Sequence, residues 1–255
     1  MCRQLAYVGP PVTLESLVLA PEHSLLHQSY RPKFQRHGTV NADGFGCGWY
    51  VPELRPEPAV YRRDRPIWGD RSFTSIAGVV SSGAILAAVR DATTGSAVDE
   101  SSTAPFAESG WLFAHNGKLV GFDGPEGVAL RRMLSDKRMA TVRGTSDSEV
   151  MFGLILDRMD QGNDPQEALK WCVRICTELS SGGAFNFLLT DGSTIHATAC
   201  GDSLFVLEGG SRAPGGVVVA SEPFDDDPAW KPVPEFSAVR ASGGRARITP
   251  LKEDE

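Results

Sequence analysis

Met1-Cys2-Arg3-Gln4-Leu5-Ala6-Tyr7-Val8 opens the chain and reads as a short strand ended by Gly9-Pro10-Pro11. Its second residue sets the chemistry to look for. With Met1 removed, as expected before a residue as small as cysteine, Cys2 carries both a thiol and a free α-amine. The thiolate is a strong nucleophile. An α-amine has an ordinary pKa of roughly 7.7–8.0, so at neutral pH a useful fraction is uncharged and can act as a base. A nucleophile with its own base attached is one solution to covalent catalysis. Taken alone, a cysteine at position 2 is more often incidental, a small buried hydrophobe. The rest of the chain decides between the two, and a strand here would seat Cys2 in a sheet and fix its direction.

Outward from that strand the chain reads as strands, then two helices, then strands. Thr13 is a plausible N-cap for a helix carrying Leu14, Leu17 and Leu19. His23 to Gly38 is polar and irregular, either surface loop or the lining of a pocket. Asn41-Ala42-Asp43-Gly44 marks a turn with positive φ. Phe45, Cys47 and Trp49 then alternate as one face of a strand. The glycines between them allow close approach of another backbone or a ligand. Residues 51–66 read as a hairpin or loop. Ala84 to Val89 is an apolar strand that delivers Arg90, at the head of Arg90-Asp91-Ala92-Thr93. Thr94 to Gly110 is a long loop of small polar residues that could cover a site.

Trp111 to Ala114 reads as a strand running into His115-Asn116-Gly117. Gly144-Thr145-Ser146-Asp147-Ser148-Glu149 precedes the periodic run Val150, Met151, Leu154, Ile155, Met159; Thr145, Ser146 or Asp147 could each be the N-cap, with Glu149 a capping-box partner for Ser146. A second helix spans Pro165 to Leu179, and strands return at 185–189, 194–199, 203–207 and 216–220. The polar tail after Ser242 is expected to fray. This order predicts an α+β fold with antiparallel sheets. It predicts one domain over residues 2–242 and a polar C-terminal tail over 243–255.

Composition narrows the function. A formal charge of −7 argues against a nucleic-acid binder, which carries a basic patch or high pI. No apolar run approaches the roughly 18 residues that span a bilayer, so no membrane association is expected. With no basic leader followed by an apolar stretch, a cytoplasmic protein is expected. The five cysteines form no CxxC pair and should be free thiols in a reducing compartment. Cys172 and Cys176 share a helical face and read as buried core. The five histidines show no ligand spacing, so no metal and no cofactor is expected. The sequence is compatible with a homo-oligomer.

Three stretches carry alternative readings. Arg90 either pairs with a surface carboxylate or clamps a substrate carboxylate, for which the guanidinium fork is suited. Asn116-Gly117 is either a hairpin turn or an oxyanion hole made of the Asn amide and the Gly backbone N–H. Helix capping alone would account for residues 145–149.

Taken together these stretches resemble a known family. Cys2, N-A-D-G-F-G at 41–46, R-D-A-T at 90–93, H-N-G at 115–117 and T-S-D-S-E at 145–149 occur in the order seen in class II glutamine amidotransferase domains, which are N-terminal-nucleophile hydrolases. The resemblance covers Cys2 to about Trp230. More narrowly, W-G-D-R-S-F at 68–73, A-A-V-R at 87–90, A-H-N-G at 114–117 and A-S-E-P-F-D-D-D at 220–227 look like the γ-glutamyl amidohydrolases of ergothioneine biosynthesis. That family removes glutamate from γ-glutamyl-hercynylcysteine S-oxide with water as acceptor.

The resemblance implies a four-layer αββα sandwich of two antiparallel sheets. It implies Cys2 as nucleophile, its α-amine as base, and Asn116 and Gly117 as the oxyanion hole. It also implies a substrate-binding set: Arg90 on the α-carboxylate of the γ-glutamyl group, Asp147 on its α-ammonium, and His115 beside them. A small-molecule γ-glutamyl compound is then the partner. Trp68 or Trp230 could hold the trimethylammonium of the other half by cation–π contact, with Asp225 to Asp227 adding negative field. Core tryptophans and a solvated acidic loop would look the same.

Two departures stand out. Many class II amidotransferases begin Cys-Gly, and here Arg3 follows; many place histidine two before the arginine, and here it is Ala88. Both put glutamine itself in doubt as the best substrate. A transferase also needs a synthase domain to receive ammonia, and the chain has no residues left over for one. Hydrolysis is therefore the simpler expectation. The rivals are a glutaminase or amidotransferase subunit that passes ammonia to a partner, and a non-catalytic scaffold of the same fold.

Overall fold

A computed structural model of the protein describes residues 2–36, 38–92, 98–180 and 182–252. The chain enters through β1 (Arg3–Thr13), makes the short helices α1 (Leu14–Val18) and α2 (Leu25–Gln28), and returns as β2 (Phe45–Trp49) and β3 (Ala59–Arg63). α3 (Arg71–Ala77) leads into β4 (Ser81–Val89), followed by β5 (Phe106–Glu108) and β6 (Trp111–Leu119). The helices α4 (Pro125–Arg131), α5 (Asp136–Met139), α6 (Asp147–Asp160) and α7 (Pro165–Leu179) come next. The chain closes with β7 (Gly183–Thr190), β8 (Ile195–Ala199), β9 (Phe205–Glu208), β10 (Val217–Ala220), β11 (Lys231–Pro232), β12 (Ser237–Ser242) and β13 (Arg245–Pro250).

Among the described residues the strands form two sheets, ordered β11-β9-β10-β1-β4-β2-β3 and β13-β12-β8-β7-β6-β5. The pairs are antiparallel. Alternation along the strands sorts the side chains into layers. Leu5, Tyr7, Ile85 and Val89 face outward from the first sheet onto Leu14, Leu17 and Phe73 of the α1 and α3 side. Ala6, Val8 and Leu86 face inward onto Leu112, Leu188 and Val239 of the second sheet. The other face of the second sheet sends Phe113 and Phe187 onto Met151, Leu154, Leu169 and Cys172 of α6 and α7. Helices, sheet, sheet, helices make the four-layer αββα sandwich that the resemblance implied. Both faces of the inner strands are buried, which is why they read as near-continuous apolar runs.

Most elements match their local signals. Thr13 accepts from Ser16 N–H at the start of α1, α7 spans Pro165–Leu179, and Cys172 and Cys176 are buried thiols. Gly44 holds φ at +145°, and β2 then pairs with β3 as a hairpin. The β2 glycines do permit close approach: a Cβ on Gly46 would lie 2.3 Å from the Ala104 carbonyl oxygen.

Four readings are corrected. β1 does not end at Gly9-Pro10-Pro11; pairing with β4 resumes at Val12 opposite Ser82 after an irregularity past Val8. Prolines are tolerated at such an irregularity because it spares their missing N–H a ladder bond. Asn116-Gly117 is no hairpin turn but lies inside β6, paired with β7. Ser146 caps α6 through Ser148 N–H, but Glu149 does not complete a capping box; it accepts from Arg143 and Gly144 N–H instead. Among the described residues, up to Lys252, the tail past Ser242 does not fray. Gly243 and Gly244 take φ of +55° and +74°, and β13 pairs back on β12. Positive φ at both central residues suits a two-residue hairpin, and the polar composition is that of an edge strand.

Candidate active site

A cavity of about 620 Å³ opens where β1 begins and β4 ends. Cys2, Arg90, His115, Gly117 and Asp147 all line it. Asn116 is adjacent in the chain, fully buried and not among the lining residues; one N–H of its Nδ2 donates to Asp202 Oδ2 at 2.9 Å.

Each lining residue is placed by its element. Cys2 shares parity with Gln4, Ala6 and Val8, the inward face of β1, and is half-buried at the strand's head. Burial pushes its thiol pKa up; the amino-terminal charge, a hydrogen bond from the Asp91 backbone and the Arg90 guanidinium pull the other way. Arg90 is gripped by the 41–44 turn. Its N–H donates to the Gly44 carbonyl at 2.8 Å, and its carbonyl accepts from Asp43 N–H at 3.0 Å. Asp43 Oδ2 also accepts from Ala92 N–H at 2.9 Å. The N-A-D-G stretch therefore serves to hold the R-D-A stretch at the mouth of the cavity.

Asp147 is the first residue of α6, where the helix dipole favours a negative charge. Its Oδ2 accepts from Leu119 N–H at 2.8 Å and its Oδ1 from Ser148 N–H at 2.7 Å, which ties the helix start to the end of β6. His115 points to the helix side of β6, stacked with Phe185 and edge-on to Phe187. Nε2 lies 2.9 Å from the Ala184 carbonyl and so carries the proton; Nδ1, 3.0 Å from Ser148 Oγ, accepts. Burial lowers its pKa, against the opposing pull of Asp147 and the Ala184 carbonyl. A neutral ring with both nitrogens engaged by protein acts here as a brace between β6, β7 and α6.

The 94–110 stretch is not loop throughout, since its end forms β5 against β6; from it Ser102, Ala104 and Phe106 line the cavity. Thr93 and residues 94–97 of that loop lie outside the described residues, as does His37. Among the described residues none of 23–38 lines the cavity. Neither Trp68, Trp230 nor Asp225 to Asp227 lines it. Trp68 is 44% exposed and packs on Tyr30. Trp230 packs on Phe224 and donates to Asp225 Oδ1, and Asp227 accepts from Ala229 N–H. The tryptophans and the acidic run thus lie off this cavity.

Sequence reasoning missed a buried network next to the cavity. Arg3 Nε donates to the Cys2 carbonyl at 2.6 Å, Nη2 to Asp202 Oδ2 at 2.6 Å and Nη1 to Glu222 Oε1 at 3.1 Å. All three charged side chains are fully buried. Glu222 also holds His23 Nε2 and the N–H groups of Lys33 and Phe34. Burial raises the Glu222 pKa, but these donors and Arg3 outweigh it and hold the carboxyl below its ordinary value. The available signal was a charged residue inside an apolar strand, with Asp202 and Glu222 just past the ends of two others.

Among the described residues no group of three or more His, Cys, Asp or Glu side chains is placed to hold a metal, and no helix is long and apolar enough to cross a membrane.

Comparison with known proteins agrees with this geometry. The chain is 39% identical to the γ-glutamyl-hercynylcysteine sulfoxide hydrolase of Mycolicibacterium smegmatis, covering 98% of this chain and 100% of that one. It is 37% identical to the enzyme of the same name from Mycobacterium tuberculosis H37Rv, over 98% of this chain and 97% of that one. A solved structure of a glutamine aminotransferase class-II domain protein from Silicibacter pomeroyi superposes with a TM-score of 0.73 at 25% identity, covering 99% and 100% of the two chains. The family model for class-II glutamine amidotransferases matches residues 23–214. With that span, and a cysteine thiol, a guanidinium and a carboxylate gathered on one cavity, the chain belongs to the class-II glutamine amidotransferase family.

Proposed function

We propose that this protein hydrolyses the γ-glutamyl amide bond of γ-glutamyl-hercynylcysteine sulfoxide, releasing glutamate and hercynylcysteine sulfoxide in ergothioneine biosynthesis. The observation that carries the reading is the meeting of Cys2, Arg90, Gly117 and Asp147 on one cavity, in a chain whose full-length relatives bear that hydrolase name. The volume lies within the roughly 300–1,000 Å³ of small-molecule sites.

In this reading an amino-acid head group needs one cation and one anion set apart. Arg90 takes the α-carboxylate and Asp147 the α-ammonium, while His115 holds the wall between β6 and α6. The Cys2 sulfur attacks the γ-carbonyl as its proton passes to the α-amine exposed by loss of Met1. The Gly117 N–H and the second N–H of Asn116 Nδ2 stabilise the tetrahedral oxyanion. The leaving amine departs with the proton from the α-ammonium. Water, deprotonated by the same amine, then hydrolyses the γ-glutamyl thioester and frees glutamate.

The test is glutamate release by the purified protein, with γ-glutamyl-hercynylcysteine sulfoxide and glutamine compared side by side. Release from the sulfoxide at a kcat/KM at least about a hundredfold above that for glutamine is expected, a discrimination of roughly 2.7 kcal/mol in the transition state. Preferential release from glutamine would overturn the substrate assignment and favour a glutaminase subunit.

A further inference from the structure

The Asn116 side chain is anchored by a residue that does not reach the cavity. Asp202 Oδ2 accepts from Asn116 Nδ2 at 2.9 Å and from Arg3 Nη2 at 2.6 Å, and Oδ1 accepts from Ser203 N–H at 2.8 Å. Asn186 Nδ2 donates to the Asp202 carbonyl at 2.8 Å, so the Asp202 backbone is held as well. The same Arg3 guanidinium donates from Nε to the Cys2 carbonyl at 2.6 Å. Neither Arg3 nor Asp202 lines the cavity.

Two planar groups are linked here. A primary amide carries both N–H bonds in one plane, so fixing one hydrogen on Asp202 fixes where the other points. A guanidinium is equally rigid, and its donors sit in a set fork. Through Asp202, one fork therefore relates the backbone of Cys2 to the plane of the Asn116 amide. Arg3 also balances buried carboxylates at Asp202 and Glu222, whose charge would otherwise oppose a developing oxyanion nearby.

We propose that Arg3 and Asp202 are positioning residues that hold the Cys2 backbone and the Asn116 amide in one frame for transition-state binding; this rests on Asn116 being an oxyanion donor. The family resemblance noted the departure at position 3 as a matter of substrate. The geometry assigns Arg3 to the reaction centre's support instead, since its side chain turns away from the substrate cavity.

The experiment is a double-mutant cycle on the full chain with Asp202→Asn and Asn116→Ala, reading kcat, KM, glutamate affinity and melting temperature. Asn116→Ala should lower kcat by about 10²–10³-fold, the usual cost of losing one oxyanion donor. Asp202→Asn should lower kcat at least about tenfold while KM and glutamate affinity stay within about twofold, because ground-state contacts are untouched. In the Asn116→Ala background Asp202→Asn should add no more than about a threefold loss, the mark of coupled residues.

Full additivity, or a lowered melting temperature with unchanged kcat, would overturn the proposal. Should Asp202→Asn not fold, Arg3→Lys keeps the charge, loses the fork and carries the same comparison. Wild-type kcat in Asn116→Ala would instead remove the oxyanion reading itself. Slow Asn116→Ala beside wild-type Asp202→Asn would remove only the positioning role.

Discussion

A methyl group on Gly117 would lie 1.8 Å from the Ala184 carbonyl oxygen, and the backbone there holds φ at +148°. Any side chain must push β6 off β7 or change the backbone that aims the Gly117 N–H. Gly117→Ala is therefore expected to cost at least about 2 kcal/mol of stability and to lower kcat more than it raises KM; urea unfolding and steady-state kinetics on the same preparation check both. Cys2 and Arg90 separate chemistry from binding in the same way. Cys2→Ala should abolish glutamate release. Arg90→Ala should mainly raise KM, by about 10²-fold if a charge-assisted contact to the α-carboxylate is lost at roughly 1.5–3 kcal/mol. A Cys2→Ala variant that turns over normally would end the thioester scheme. At this scale the sequence was largely legible: Cys2, Arg90, Gly117 and Asp147 meet on the cavity. His115 meets it too, with both ring nitrogens engaged by Ser148 and Ala184.

The strands and helices explain why short motifs recur where they do. The 41–44 turn holds Arg90 by its backbone, and the first turn of α6 ties Asp147 to β6. Both signals were readable as turn and cap, because each depends on residues near in sequence. Elsewhere a buried histidine makes an element pH-sensitive. His196 on β8 shares a hydrogen bond at 3.2 Å with Gln166 Oε1 on α7. Burial is the main cause that lowers its pKa to about 4, helped by Arg240 and opposed by Asp164 and Asp191. The unfolded chain binds this proton near 6.5 and the folded one near 4, so His196 contributes stability in full above the first value and loses it as pH falls toward the second. Between pH 7 and pH 4.5 the loss is on the order of 2–3 kcal/mol. Urea unfolding at both pH values should show a smaller difference for His196→Gln than for the wild type.

Across the whole molecule, the two sheets meet through small and branched side chains such as Ala6, Leu86, Leu112, Leu188 and Val239. That inner layer sets the distance between β1, which Cys2 immediately precedes, and β6, which carries Asn116 and Gly117. Leu112 is fully buried there. Leu112→Ala is expected to cost about 2–5 kcal/mol, measured by denaturant unfolding, and an unchanged midpoint would show that the layer collapses around the gap. Local chemistry determined much on its own: the thiol at position 2, the strand alternation, the helix starts and the family resemblance follow from residues close together in the chain. Only the tertiary structure decided that Asn116-Gly117 is strand rather than turn, that the tail closes on β12, and that Arg3 joins Asp202 and Glu222 across separations of 199 and 219 residues. The physical reason is that each of these depends on which distant strand lies alongside and on the cost of leaving a buried charge without a partner, and neither quantity is a property of a short window of sequence.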